Sequence, residues 1–129
     1  MRIFFIKIFL KVWGKIMAEV YLIAHPVNPD EVEKWLGTVW GVCVYSRNVI
    51  MDKLARVKDW VGGEIGIYNN LVKQAIDRAH KDLAEMALSL GANAVVNVKL
   101  ELTPASLDIN QGTMICAVAY GTAVILKLS

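Results

Sequence analysis

The sequence predicts a small α+β domain in which a sheet packs against one long helix. Segments at both ends of the chain are rich in β-branched and aromatic residues, which favour strands. Between them, from Ile67 or Tyr68 to Leu90, apolar residues recur at helical spacing for about six turns. The length of 129 residues suits one domain, and the 56% hydrophobic fraction leads us to expect a membrane or a partner subunit over part of the apolar surface.

The first 16 residues, MRIFFIKIFLKVWGKI, predict an amphipathic cationic leader ahead of a domain that spans residues 17–129. Lys7, Lys11 and Lys15 recur every four residues, which on a helix gives a narrow cationic stripe beside a wide apolar face. Lysines interrupt the apolar run, so it is too short to span a membrane, and no small-residue cleavage site follows it. Three interpretations stay open: an upstream-start artefact with Met17 as the true start, a helix on a membrane surface, or a segment that docks on the protein's own oligomer.

Two strands and a short helix are predicted before the long helix. The run EVYLIAH, Glu19–His25, is rich in strand-forming residues and ends at a proline, which restricts the preceding residue to extended geometry. The second strand covers Lys34–Tyr45, where two internal glycines indicate a bulge or a bend. Ser46 or Asn48 can cap a short helix that extends to about Trp60.

Two more strands are predicted after the long helix, which Gly91 is placed to cap. Apolar and polar residues alternate over 92–102, the pattern of a strand with one apolar face. After a loop over 103–112, the final strand, Thr113–Leu128, is apolar at both alternating sets of positions, as is the second strand. Both faces of these two strands should therefore be buried, and another subunit is the simplest cover for the face that one helix cannot reach.

The charge balance argues against nucleic-acid binding, and the cysteine spacing argues against a disulfide framework or a zinc ribbon. Four of the 14 basic residues precede Met17, which leaves 10 basic against 12 acidic residues in the rest of the chain. That balance provides no basic stripe, so we expect no nucleic-acid partner. Cys43 and Cys116 lie far apart without CxxC spacing, so neither a disulfide framework nor a zinc ribbon is indicated. A reducing cytoplasm is the expected location, with a peripheral membrane position open through the leader.

Three motifs in fixed order resemble the YbjQ-like family, a group labelled as heavy-metal-binding. They are GGEIGIY before the long helix, LGANAVVNVKLEL after it, and GTMICAVAYGTAV in the last strand, and the resemblance covers Val20–Lys127. The resemblance implies a two-layer, dodecin-like β-α-β-β subunit with an antiparallel sheet. It also implies a ring-forming homo-oligomer, with a homopentamer favoured, and suggests a metal ion as the cofactor.

Several positions depart from the family's pattern. Glu64 and Ile65 stand where the family often has a basic and a hydroxyl residue, and Asn69 stands where it tends to have glutamate. Lys99 replaces one of two acidic residues that are usual in the strand after the long helix. These departures weaken the metal-binding interpretation.

A soft metal ion is one candidate ligand. Thiolates of Cys43 and Cys116, on strands that could be neighbours, could in principle hold Cu(I) or Zn(II) together with His25. The alternative is that both cysteines are buried small hydrophobic residues, and we favour it.

The glycine-rich segment before the long helix is the second candidate. Backbone N–H groups at a helix start can bind an anion, but this segment lacks the lysine and hydroxyl of a nucleotide-binding loop, and Glu64 would repel phosphate. The alternative is a turn in which positive φ angles at two glycines end the short helix and a third glycine permits close approach. The candidate ligand-binding residues are Gly62, Gly63, Gly66, Tyr68 and Asn69.

Aromatic residues are the third candidate, because they could line a pocket for a planar ligand or form core and interface. They are Trp35, Trp40, Trp60, Tyr45 and Tyr120. No serine or cysteine nucleophile has an identifiable histidine partner, which favours a binding protein over an enzyme. We therefore expect a homo-oligomer that binds a small ligand or a metal ion at subunit interfaces. The alternative is an oligomeric scaffold held at a membrane surface by the N-terminal cationic helix.

Overall fold

The computed structural model describes residues 5–12, 15–46, 48–50, 52, 63–103 and 114–127. They form a five-stranded sheet with one long helix, α1 (Gly63–Ser89). A 3-10 turn, Pro29–Glu31, precedes the third strand, and residues 48–50 and 52 are helical. The strands are β1 (Phe5–Val12), β2 (Lys15–Ile23), β3 (Val32–Tyr45), β4 (Ala94–Leu102) and β5 (Ile115–Leu126). The α+β class and the order of the strands and the long helix after the leader are confirmed, and most of the predicted short helix to Trp60 lies outside the described residues.

The sheet is mixed, which corrects the expectation of an antiparallel sheet. Its strand order is β1-β2-β4-β5-β3, and β2 runs parallel to β4, with Tyr21 opposite Ala94, whereas the other pairs are antiparallel. Parallel neighbours need a long connection, and β3 together with α1 supplies it. Strand β3 is an edge of the sheet.

The predicted N-terminal helix is wrong, because Phe5–Val12 is a strand that pairs with β2. Isoleucine, phenylalanine and valine dominate this segment and favour strands, and the edge of β2 offers a full row of backbone partners. A four-residue lysine spacing fits a helix, but it carries no information about the hairpin pairing with β2, the next segment of the chain. Strand β2 itself begins at Lys15 and crosses the predicted boundary between residues 16 and 17.

Helix α1 packs on one face of the sheet through small residues. Its buried positions recur at intervals of four, and most of them are alanines, so the helix axis can lie close to the strands. At Gly41 the approach is closest, because an added Cβ would overlap the backbone of Ala79 and Leu83. The buried helix residues at this spacing are Leu71, Ala75, Ala79, Leu83 and Ala87.

A Schellman motif ends α1, as the sequence predicts. Gly91 has a φ of 85°, its N–H donates to the carbonyl of Leu88 at 2.9 Å, and the N–H of Ala92 donates to the carbonyl of Ala87 at 3.0 Å. These two bonds satisfy carbonyl groups that the helix end would otherwise leave unpaired.

Bulges interrupt the ladders that β5 forms with β4 and with β3. In β4, Asn97 adopts a φ of 57° and the register shifts between Val96 and Lys99, opposite Gly121 of β5. A Cβ at Gly121 would lie 2.8 Å from the carbonyl oxygen of Val96, so only glycine fits there. In β3, Gly37 has a φ of 111° beside a register shift, which confirms the predicted bulge.

Candidate functional site

The predicted ligand-binding glycines lie within α1 instead of in a loop before it. Gly63, Gly66, Tyr68 and Asn69 occupy the first two turns of the helix, which begins about four residues earlier than predicted, and Gly62 lies outside the described residues. Gly66 is exposed, and an added Cβ would meet no described atom within 4 Å outside its own helix, so the described residues do not make the expected close approach at this glycine. Helical backbone at Gly63 likewise excludes the predicted positive φ.

The two cysteines lie on opposite faces of the sheet. Cys43 is directly opposite Ala117 and Cys116 is directly opposite Val44, so the two thiols belong to alternating positions of one antiparallel ladder. Cys43 packs against the core beneath α1. Both thiols are free and half-buried, so the expectation of two buried residues is met only in part.

His25 follows the end of β2 and lies away from both cysteines. Strand β4 separates β2 from β5, which carries Cys116, and β4 and β5 together separate it from β3, which carries Cys43. The Nδ1 of His25 is 2.8 Å from the carbonyl oxygen of Pro26, and its Nε2 is buried without a hydrogen-bond partner in the described part of the chain. Within the part of the chain that the structure describes, no three His, Cys, Asp or Glu side chains come within reach of one metal ion. The residues of a single described chain therefore do not fit a soft-metal site.

The side of the sheet away from α1, the helix-free face, is open at β3 and β5. A small apolar cluster that includes Val96 and Val124 covers one end of this face, with Val27 packed against it. Beyond that cluster the side chains of Trp40, Val42 and Val44 are 53%, 42% and 51% exposed. The cross-strand pairs on the open part are Trp40 with Tyr120, Val42 with Val118, and Val44 with Cys116.

The five aromatic residues that the sequence predicts as a pocket do not lie together on one face of the sheet. Trp40 and Tyr120 stand side by side on the helix-free face, and Trp35 is also exposed, whereas Tyr45 is buried in the core beneath α1. Trp60 lies outside the described residues. One aromatic pair, not a pocket of five aromatic residues, is therefore available to a ligand.

Polar side chains of β4 border the aromatic pair. Tyr120 donates its hydroxyl hydrogen to Glu101 over 3.0 Å, and this bond raises the pKa of the Tyr120 phenol. Lys99 pairs directly with Tyr120, so one cation and one anion flank the same ring. An aromatic surface with a carboxylate and an ammonium at its margin can recognise a planar polar molecule.

A second constellation, which the sequence reasoning missed, lies where α1 follows the free edge of β3. The N–H of Val42 donates to Oδ2 of Asp82 over 2.9 Å, and the N–H of Trp40 lies 3.5 Å from the sulfur of Met86. One helical turn from Asp82, Arg78 places its guanidinium 5.5 Å from the centre of the Tyr45 ring. The four-residue spacing of these helix side chains was visible in the sequence, but the strand edge that they follow was not.

Tyr45, the last residue of β3, has an unsatisfied polar group. Its side chain is 5% exposed, and its hydroxyl group is buried without a hydrogen-bond partner in the described part of the chain. Burial raises the pKa of the phenol, while the positive charge of Arg78 acts in the opposite direction. The phenol therefore stays protonated at neutral pH, and its hydroxyl group is a neutral donor that meets no acceptor among these residues.

Comparison with known proteins decides the family. The model of the YbjQ family, described as "Putative heavy-metal-binding", matches residues 20–127. The chain belongs to the YbjQ family. A UPF0145 protein of Clostridium tetani is 41% identical over 101 residues, 78% of this chain and 91% of that protein. A UPF0145 protein of Thermoplasma acidophilum is 36% identical over 112 residues, 86% of this chain and 90% of that protein.

A solved structure shares the fold of this YbjQ-family chain. The crystal structure is that of a protein of unknown function from Pediococcus pentosaceus, assigned to the DUF74 family, and it aligns with a TM-score of 0.59 at 12% identity. The alignment covers 84% of this chain and 98% of that one. Across the described residues, no helix is both long and apolar enough to cross a membrane.

The YbjQ motifs hold the fold together in this chain. Asn93 of LGANAVV donates from Nδ2 to the carbonyl of Leu126 over 3.1 Å and accepts the N–H of Leu126 at Oδ1 over 2.7 Å. Its amide thus replaces a backbone partner at the end of β5. Gly121 of YGTAV leaves room for the β4 bulge, so both motifs have structural explanations.

Proposed function

We propose that the protein is a homo-oligomer whose copies associate through the open part of the helix-free face and bind a small organic ligand at the subunit boundary. The supporting observation is the exposed row formed by Trp40, Val42 and Val44 on an edge strand. Contiguous apolar side chains on a sheet face lose free energy of hydration when a partner covers them. No described constellation requires catalysis.

A second copy of the same chain is the occupant that this face fits best. Lys99 and Glu101 border the apolar row. Because this margin carries one positive and one negative charge, the margins of two copies can pair with each other. An apolar centre with a polar margin is the usual arrangement of a specific subunit interface. A dodecin-like ring, with a pentamer favoured, is the assembly that the family resemblance supports.

An organic ligand fits the described geometry better than a metal ion. Trp40 and Tyr120 provide a paired aromatic surface, and Glu101 and Lys99 provide hydrogen-bonding groups beside it. A metal ion shared between copies would have to use Cys116, because Cys43 faces the core. The membrane-surface alternative loses its main support, since Phe5–Val12 is a strand and carries no helical lysine stripe.

The interface can be tested by replacing one apolar side chain with a charge. Val42→Glu should reduce the mass measured by light scattering to that of one 14.3 kDa chain, because a buried carboxylate without a partner opposes association. Val49→Glu is the matched control, since Val49 is similarly exposed, at 39%, but lies outside the sheet. An oligomer that survives Val42→Glu, or one that Val49→Glu dissociates equally, would contradict this interface.

A further inference from the structure

Successive turns of helix α1 lie opposite successive outward-pointing positions on the free edge of β3. Met86, Asp82 and Arg78 are spaced by four residues, which corresponds to about 6 Å along a helix. Two residues of a strand cover about 6.6 Å, so each turn of the helix meets the next outward-pointing position of β3. The first two turns place Met86 at the N–H of Trp40 and Asp82 at the N–H of Val42.

Met86 and Asp82 both offer acceptor atoms to the strand, but the residue on the third helical turn does not. By the same alternation the N–H of Val44 points outward, but the helix residue at this level is Arg78, whose guanidinium has five N–H donors and no acceptor. The guanidinium lies 5.5 Å from the centre of the Tyr45 ring, whose hydroxyl group is buried and has no hydrogen-bond partner among the described residues. At this level of the edge, α1 therefore supplies a donor where its two neighbouring turns supply acceptors.

We propose that this corner, formed by the Tyr45 hydroxyl, the Arg78 guanidinium and the Val44 N–H, binds a small oxyanion of the carboxylate or phosphate class. Such an anion accepts all three types of donor, and a guanidinium offers it a bidentate contact. A buried hydroxyl without a partner has a desolvation cost, which a bound acceptor removes. The site is separate from the helix-free face, because Tyr45 belongs to the core on the α1 side.

Cys43 provides an internal reporter for this site. It lies two residues before Tyr45 on the same face of β3, and its thiol is one of the groups that raise the pKa of the Tyr45 phenol. Cys116 is on the other face, so Cys116→Ser leaves one thiol, and its rate of modification reports on this corner. An anion bound between Tyr45 and Arg78 should slow that modification.

The experiment compares inorganic phosphate, acetate and chloride at equal ionic strength. Phosphate or acetate should raise the unfolding temperature of the full chain and slow Cys43 modification in the Cys116→Ser background, whereas chloride should do neither. Tyr45→Phe and Arg78→Gln should each weaken anion binding at least about tenfold, as expected for the loss of a charge-assisted hydrogen bond. Lys81→Gln, which removes an exposed cation of the same helix, should leave the response unchanged.

Tyr45→Phe also has a distinctive effect in the absence of the anion. Because the hydroxyl group has no partner, its removal should keep or raise the unfolding temperature in chloride. A clear decrease would show that the hydroxyl is already satisfied within the protein and would overturn the proposal. A wild-type chain indifferent to both oxyanions, or an unchanged response in Tyr45→Phe and Arg78→Gln, would overturn it as well. If Arg78→Gln does not fold, Arg78→Lys takes its place, because it keeps the charge and loses the bidentate contact.

Discussion

At the scale of single residues, two glycines of this chain have opposite roles. A Cβ at Gly41 would overlap the helix backbone at Ala79 and Leu83, whereas a Cβ at Gly66 would meet no described residue within 4 Å outside its own helix. Gly41 therefore sets the distance between β3 and α1, and Gly66 only lowers the helical propensity of the first turns. The sequence marks both residues as glycine but does not distinguish these roles.

We expect Gly41→Ala to lower the free energy of unfolding by about 1–3 kcal/mol, because the strand and the helix must move apart. Gly66→Ala should instead raise it by about 0.5–1 kcal/mol, since alanine is the better helix former at an exposed position. Urea denaturation of the two variants measures both changes. Equal stability of Gly41→Ala and wild type would show that the contact between Gly41 and α1 is looser than described.

At the scale of secondary structure, the sequence predicts the elements whose determinants are local. Gly91 ends α1 with the expected cap, and the alternation after it correctly indicates β4. The strand β1 was missed although its partner β2 is the next segment of the chain, because its lysine spacing also fits a helix. The parallel pairing of β2 with β4 was missed for a different reason, since it depends on residues about 70 positions apart in the chain.

Asn93 tests how the end of β5 is held. Asn93→Ala removes both hydrogen bonds to the backbone of Leu126, so we expect the free energy of unfolding to fall by about 1–3 kcal/mol. Asn93→Asp keeps the acceptor and loses the donor, and it should give a smaller loss. Amide hydrogen exchange at Leu126 measures the local effect. Unchanged exchange at Leu126 in Asn93→Ala would refute the role of this amide.

For the whole molecule, the candidate sites depend on how the strands pair, and this pairing register cannot be read from a single sequence. The pairing of β3 with β5 places Cys43 and Cys116 on opposite faces, which a search for metal-ligand spacing could not foresee. The same register brings Trp40 beside Tyr120, two residues that the sequence had already marked as aromatic candidates. The corner at Tyr45 and Arg78 needs in addition the packing of α1 along the β3 edge.

For the molecule as a whole, the exposed helix-free face predicts assembly into a homo-oligomer. In the described part of one chain, the face that carries Trp40, Val42 and Val44 is open although the sequence pattern predicts burial on both sides. The proposed covering subunit would reconcile the pattern with the exposure, and it would create the boundary at which the Trp40–Tyr120 pair meets a ligand.

Native mass spectrometry of the full chain, purified without added metal, tests this claim most directly. We expect the intact particle to have an integer multiple of 14.3 kDa, with five copies favoured, and to retain additional mass from an organic ligand. A particle of one chain at every protein concentration would contradict the assembly. An oligomer that retains only metal ions would contradict the proposed class of ligand.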